Sequence, residues 1–69
     1  MEREVIEILS EYLSPQAAAN LLARAKARLT PTTPQDWARL LEGPLWEELR
    51  AILPFREMPP GLKALVRRL

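Results

Sequence analysis

The sequence predicts an all-α fold: a small compact orthogonal bundle of about five short helices, with residues 1–69 forming a single helical domain. Three observations lead there. Hydrophobic residues make up 48% of the chain, and most are Leu and Ala, both strong helix formers. Seven prolines recur where a helix can begin or has just ended. No stretch of useful length alternates with period two, and β-branched residues are few, so strands are not expected.

The first helix is expected over residues 2–13, where Val5, Ile6, Leu9, Tyr12 and Leu13 recur at helical spacing and Ile8 widens the stripe. Ser14-Pro15 then reads as an N-cap followed by proline at the first helical position, opening a second helix over 15–29. Its apolar face is Ala18, Leu21, Leu22, Ala25 and Leu29. Thr33-Pro34-Gln35-Asp36 repeats the opening with a carboxylate at capping-box spacing and starts a third helix, 34–42, carrying Trp37, Leu40 and Leu41.

Gly43-Pro44 serves two neighbours, closing the third helix and opening a fourth over 44–53 with Leu45, Trp46, Leu49, Ile52 and Leu53. A positive φ at Gly43 would make a valine there costly, whereas a negative φ, as in one kinked helix, would make the change nearly neutral. Pro54 and Pro59-Pro60 frame an irregular link from Phe55 to Met58, after which a last helix, 61–68, uses Leu62, Leu65, Val66 and the adjoining Leu69. Helices this short do not hold alone in water, so they are expected to exist by packing on one another.

Charge suggests how the first two helices pair. Glu2, Glu4, Glu7 and Glu11 lie on the first, while Arg24, Lys26 and Arg28 lie near the end of the second. An antiparallel hairpin about Ser14 brings the glutamates at the chain start toward the basic end of helix two, and both placements suit the helix dipole. Lys63, Arg67 and Arg68 make the last helix a short basic amphipathic segment, read as dipole complement rather than as a membrane anchor.

Composition excludes several function classes. The chain has no cysteine and no histidine, so disulfides, zinc ribbons, thiol chemistry and the commonest general base are all missing. Gly43 and Gly61 are the only glycines, too few for a phosphate-binding loop, and Ser10, Tyr12 and Ser14 have no histidine to activate them. Glu47 and Glu48 are expected on different faces of the fourth helix, as first-turn acids. The chain is therefore expected not to be an enzyme, to need no cofactor and to act on no small-molecule substrate. Arginine dominates the cations and amides are scarce, a bias that suits heat-adapted proteins. The Met-Glu-Arg-Glu start lacks the basic and apolar regions of a secretory signal, and no apolar run is long enough to span a membrane, so the cytoplasm is the expected location.

The expected function is that of a non-catalytic helical protein–protein interaction module, self-associating as a dimer or serving as a small accessory subunit of another protein. The candidate interface comprises Ile8 and Tyr12, which exceed one core stripe, the small-residue row Ala19, Ala23 and Ala27, and Trp46. Each has a plainer reading, since alanine is a good helix former and tryptophan commonly anchors a core. The alternative is a small nucleic-acid-binding regulator using Arg24 and Arg28 on the basic face of helix two. That reading is not favoured, because the net charge is only +1 and the start of helix two offers only Gln16 and Asn20 to base edges.

Overall fold

Capping chemistry sets where the chain turns. The computed structural model describes residues 1–69, is 71% helical and contains no strand. Its elements are α1 (Glu2–Leu9), α2 (Pro15–Arg28), α3 (Pro34–Glu42), α4 (Pro44–Ile52) and α5 (Pro60–Arg68). No helix is long and apolar enough to cross a membrane.

Helix α1 stops at Leu9 instead of continuing to Leu13. The Ser10 hydroxyl donates to the Ile6 carbonyl at 2.6 Å, the local side-chain bond by which serine competes with continued helix. The next amides, Glu11 and Tyr12, donate to Ile8 and Leu9, three residues back. This tighter turn delivers the chain to Ser14, whose extended backbone and side-chain oxygen, accepting from the Ala17 amide at 3.2 Å, start α2.

Thr33 caps α3 by accepting from the Asp36 amide at 3.1 Å. The reciprocal half of the expected capping box is displaced by one residue. The Asp36 carboxylate accepts from the Thr32 amide and hydroxyl, at 3.1 and 2.8 Å, because its short side chain ties the residue before the cap. These bonds, the Thr32 hydroxyl first, hold the Asp36 carboxyl below its ordinary pKa.

The expectation of five separate helices in an orthogonal bundle is corrected at Gly43. This one residue is both the C-cap of α3 and the N-cap of α4. The Gly43 amide donates to Arg39, and the Gly43 carbonyl accepts from Glu47. Helical bonding thus runs up to the glycine and away from it with no loop, and the chain behaves as four linked segments, one of them bent. Pro44 supplies no N–H and its ring crowds the preceding turn, so the bend falls there.

Gly43 has φ −105° and ψ −102°, and no residue in the chain has a positive φ. A left-handed cap is therefore ruled out. The near-neutrality expected of a substitution at negative φ is also overturned, because a Cβ at position 43 would lie 2.8 Å from the Arg39 carbonyl oxygen. The glycine is needed for close approach of backbone to backbone.

Twelve fully or almost fully buried apolar residues make the core: Val5 and Leu9 of α1, Ala18, Leu21, Leu22 and Ala25 of α2, Leu40 and Leu41 of α3, Leu45 and Leu49 of α4, and Leu62 and Leu65 of α5. Every helix contributes residues of its predicted stripe, although Tyr12 and Ile52, expected on the stripes of the first and fourth helices, are exposed. The packing partners close a ring, α1 on α2, α2 on α4, α4 on α3, α3 on α5 and α5 back on α1. The radius of gyration is 10.7 Å, against about 11 Å expected for a compact chain of this length. No buried side-chain nitrogen or oxygen lacks a hydrogen-bond partner.

Candidate functional site

With leucine and alanine filling the centre, the aromatic residues lie at its margin. Trp37 and Trp46 both pack against the core while staying part-exposed. The sequence expectation that tryptophan would anchor the interior therefore needs adjusting, since neither indole is among the fully buried side chains.

Three of the four aromatic rings gather into one strip. Tyr12 stands in the turn after α1 and Trp46 in the first turn of α4; Phe55 follows the end of α4. Tyr12 meets Phe55 edge-on, with ring centroids 5.2 Å apart and planes at 89°. Phe55 in turn lies 6.2 Å from Trp46 at a 38° tilt, both within the favourable range for aromatic pairs. Arg50, one turn along α4 from Trp46, places its guanidinium carbon 5.7 Å from the indole centroid, a cation–π distance.

Local structure explains the convergence. The Phe55 amide donates to the Leu53 carbonyl at 2.9 Å across Pro54, an inverse γ-turn for which proline's fixed φ is suited. This turn folds Phe55 back toward Trp46. The early end of α1 does the same for Tyr12, which the longer helix expected from sequence would have carried away. Tyr12 keeps 38% of its surface exposed, one of only three large hydrophobic residues so open. The others are Met1 and, at 50%, Ile52.

The remaining candidate residues separate. Ile8 is half-buried and packs on the start of α5, where a Cβ on Gly61 would lie 3.0 Å from its Cγ2. Its free side lines an open groove of about 310 Å³ with Glu4, Glu7, Glu11 and Arg68. Ala19 is part-exposed, while Ala23 and Ala27 are exposed on the outside of α2. Of the candidate interface, the structure thus joins Tyr12 and Trp46 through Phe55. Sequence reasoning passed over Phe55 as part of an irregular link, although an aromatic residue directly after a proline was a usable signal. It also passed over Arg50, whose four-residue spacing from Trp46 puts both on one helix face.

Arg24 and Arg28, the candidate nucleic-acid contacts, point at acids. Arg24 Nε lies 2.9 Å from Glu48, and Arg28 reaches Glu47 at 2.7 Å and Glu48 at 3.9 Å. Glu47 and Glu48, expected on different faces, therefore reach the same pair of arginines, because α4 packs along α2 and long side chains span the difference. Lys26 pairs with Glu2 at 3.1 Å, the register expected from the charge pattern. Arg68 of α5 lies 3.3 Å from Glu4, in the same first turn of α1 as Glu2.

No protein-family model, curated protein or solved structure matches this chain.

Proposed function

We propose that the chain is a non-catalytic helical protein–protein interaction module. One observation carries this reading: the Tyr12–Phe55–Trp46 strip, an ordered group of aromatic side chains at the margin of a core that leucine and alanine already fill. Large amphipathic rings that keep one side open are the residue types that contribute most to protein interfaces, where their surface is covered and Tyr O–H or Trp N–H finds a partner. Chemistry of other kinds has less support, since the open groove beside Ile8 offers glutamates and one arginine that is already paired.

The nucleic-acid alternative is the weaker reading. Its two arginines would have to exchange carboxylates of the same chain for phosphates, and the glutamates left behind would repel the backbone.

Affinity capture from the source cell, with and without nuclease, tests the proposal. A protein retained through nuclease treatment by the wild-type chain and lost by Trp46→Ala is the expected result. Retention of nuclease-sensitive material alone overturns it, as does binding to duplex DNA that collapses between about 50 and 200 mM salt.

A further inference from the structure

Helix α5 closes the ring between α3 and α1, and its seat is apolar. Leu62 and Leu65 are buried there, and Ile8 of α1 packs on Gly61. An exposed ion pair adds a weak tie, from Arg68 to Glu4 of α1 at 3.3 Å. The link from Leu53 to Pro59 joins α5 to α4. Within it the amides of Arg56, Glu57 and Met58 make no backbone hydrogen bond, and Arg56 and Glu57 are exposed. The other connections are held more closely. Every amide from Ser10 to Leu13 is bonded between α1 and α2, Thr32 is tied to Asp36 before α3, and α3 runs into α4 at Gly43.

Proline biases the α4–α5 link toward extension. Leu53, Met58 and Pro59 each precede a proline, where the helical region is disfavoured, and Leu53 and Pro59 have ψ of 145° and 146°. Rotation at Arg56 and Glu57 breaks no backbone hydrogen bond and swings α5 out as a unit. Nine residues do not hold as a helix alone in water, and the vacated seat exposes the apolar faces of α1 and α3. One segment fits that seat, α5 itself, so a second copy of the chain supplies the occupant. In the exchanged pair each seat regains the same contacts and only the link changes course. We propose that α5 is an exchangeable helix, through which this chain pairs with a second copy by reciprocal docking on the α1–α3 seat. This goes beyond the reading of the aromatic strip, which the capture experiment decides separately.

Cysteine cross-linking tests the exchange in a chain that has no cysteine of its own. A Cβ at position 61 lies 3.8 Å from the Ile8 Cβ, within the separation of about 3.5–4.5 Å that a disulfide bridges. Ile8→Cys also removes the Cγ2 that would crowd it at 3.0 Å. With I8C in one chain and G61C in another, an 8–61 bond forms only between copies. After mixing and oxidation, 8–61 bonds mapped by peptide mass spectrometry are expected to outnumber 8–8 and 61–61 bonds together by about fivefold or more, because docking holds the two thiols at high effective concentration. A ratio near one, the value of random collision, overturns the proposal.

The double variant I8C/G61C, oxidised when dilute, latches α5 onto its own seat. It is expected to sediment as one chain of 7.9 kDa at concentrations up to the order of 100 μM, while its reduced form and the wild type move toward twice that mass. Association of the latched form equal to that of the wild type overturns the exchange, as does a one-chain mass for the wild type throughout this range. Hydrogen exchange on the dilute wild type needs no substitution. The bonded amides of α5 are expected to exchange at least about tenfold faster than those of α2, as for a unit that opens by itself. Equal protection of the two helices overturns the detachment on which the exchange depends.

Discussion

At Gly43 the Arg39 carbonyl oxygen lies 2.8 Å from where a Cβ would sit, closer than a methyl group tolerates. The neighbour is backbone, so relief requires moving the bend itself. Overpacking of this kind costs about 1–3 kcal/mol, whereas the entropy gained on replacing glycine is only about 0.4–1 kcal/mol. Gly43→Ala is therefore expected to be destabilising, and Gly43→Val more so. With about 4–8 °C of melting temperature per kcal/mol in a domain of this size, a thermal melt resolves the change. A Gly43→Ala melt that coincides with the wild type would refute the close approach. Asp36 makes a second residue-scale prediction. Its carboxyl is held below the ordinary pKa by bonds from Thr32 and Thr33 that favour the charged form. A folded pKa below the unfolded one means that the contribution is complete above the ordinary carboxylate range and is lost as pH falls through the folded value. Asp36→Asn should melt lower at neutral pH and lose less stability than the wild type between about pH 4 and pH 2. Parallel acid slopes for the two proteins would contradict it.

At the scale of the element, each boundary has a different cause. Helix α2 begins at a serine cap with proline behind it, and Ser14→Ala is expected to cost about 1 kcal/mol, read as a lower denaturant midpoint at unchanged m-value. A shift no larger than that of an exposed control such as Gln16→Ala would show that the cap is idle. Helix α1 ends at Leu9 because Ser10 bonds the Ile6 carbonyl and the following amides reach back three residues. Apolar spacing continues past this point, which is why the helix reads as longer in the sequence: Tyr12 and Leu13 keep the period without keeping the helix. The exposed pairs of Arg24 and Arg28 with Glu47 and Glu48 tie α2 to α4, but exposed ion pairs contribute only about 0–1 kcal/mol each. They fix alignment, and the buried leucines supply the stability.

Taken whole, the molecule is a ring of helices around a core of only twelve buried apolar residues. For a chain of this length total stability is about 3–10 kcal/mol, and Leu→Ala at a core site costs about 2–5 kcal/mol. Leu49 is fully buried on α4, the helix that packs on both α2 and α3, so Leu49→Ala removes a large share of the total. The variant is expected to populate unfolded chain in buffer alone, measured as a sloping or absent native baseline in urea titration. A full baseline with an unchanged midpoint would mean that the core can collapse around the gap.

The sequence by itself determined the helical class, the helix starts and most of the core stripe, Tyr12 and Ile52 being the exceptions. These follow from local chemistry: proline and a serine or threonine cap open a helix wherever they stand, and a 3.6-residue apolar period marks the face that must be buried. It also brought the start of α1 to the basic end of α2, as the Lys26–Glu2 pair shows, although Arg24 and Arg28 pair with α4 instead. Tertiary structure decided the rest. Whether Gly43 interrupts the chain or bends it depends on the backbone angles it adopts and on how close it comes to the Arg39 carbonyl one turn back, which the residue types alone do not give. The aromatic strip joins residues from three separate places, the turn after α1, the start of α4 and the link that follows it, and it forms only because those places pack side by side. Tyr12 and Trp46 could be singled out from the sequence as large rings in a small domain, but Phe55 between them and Arg50 beside them acquire meaning only from contacts in space.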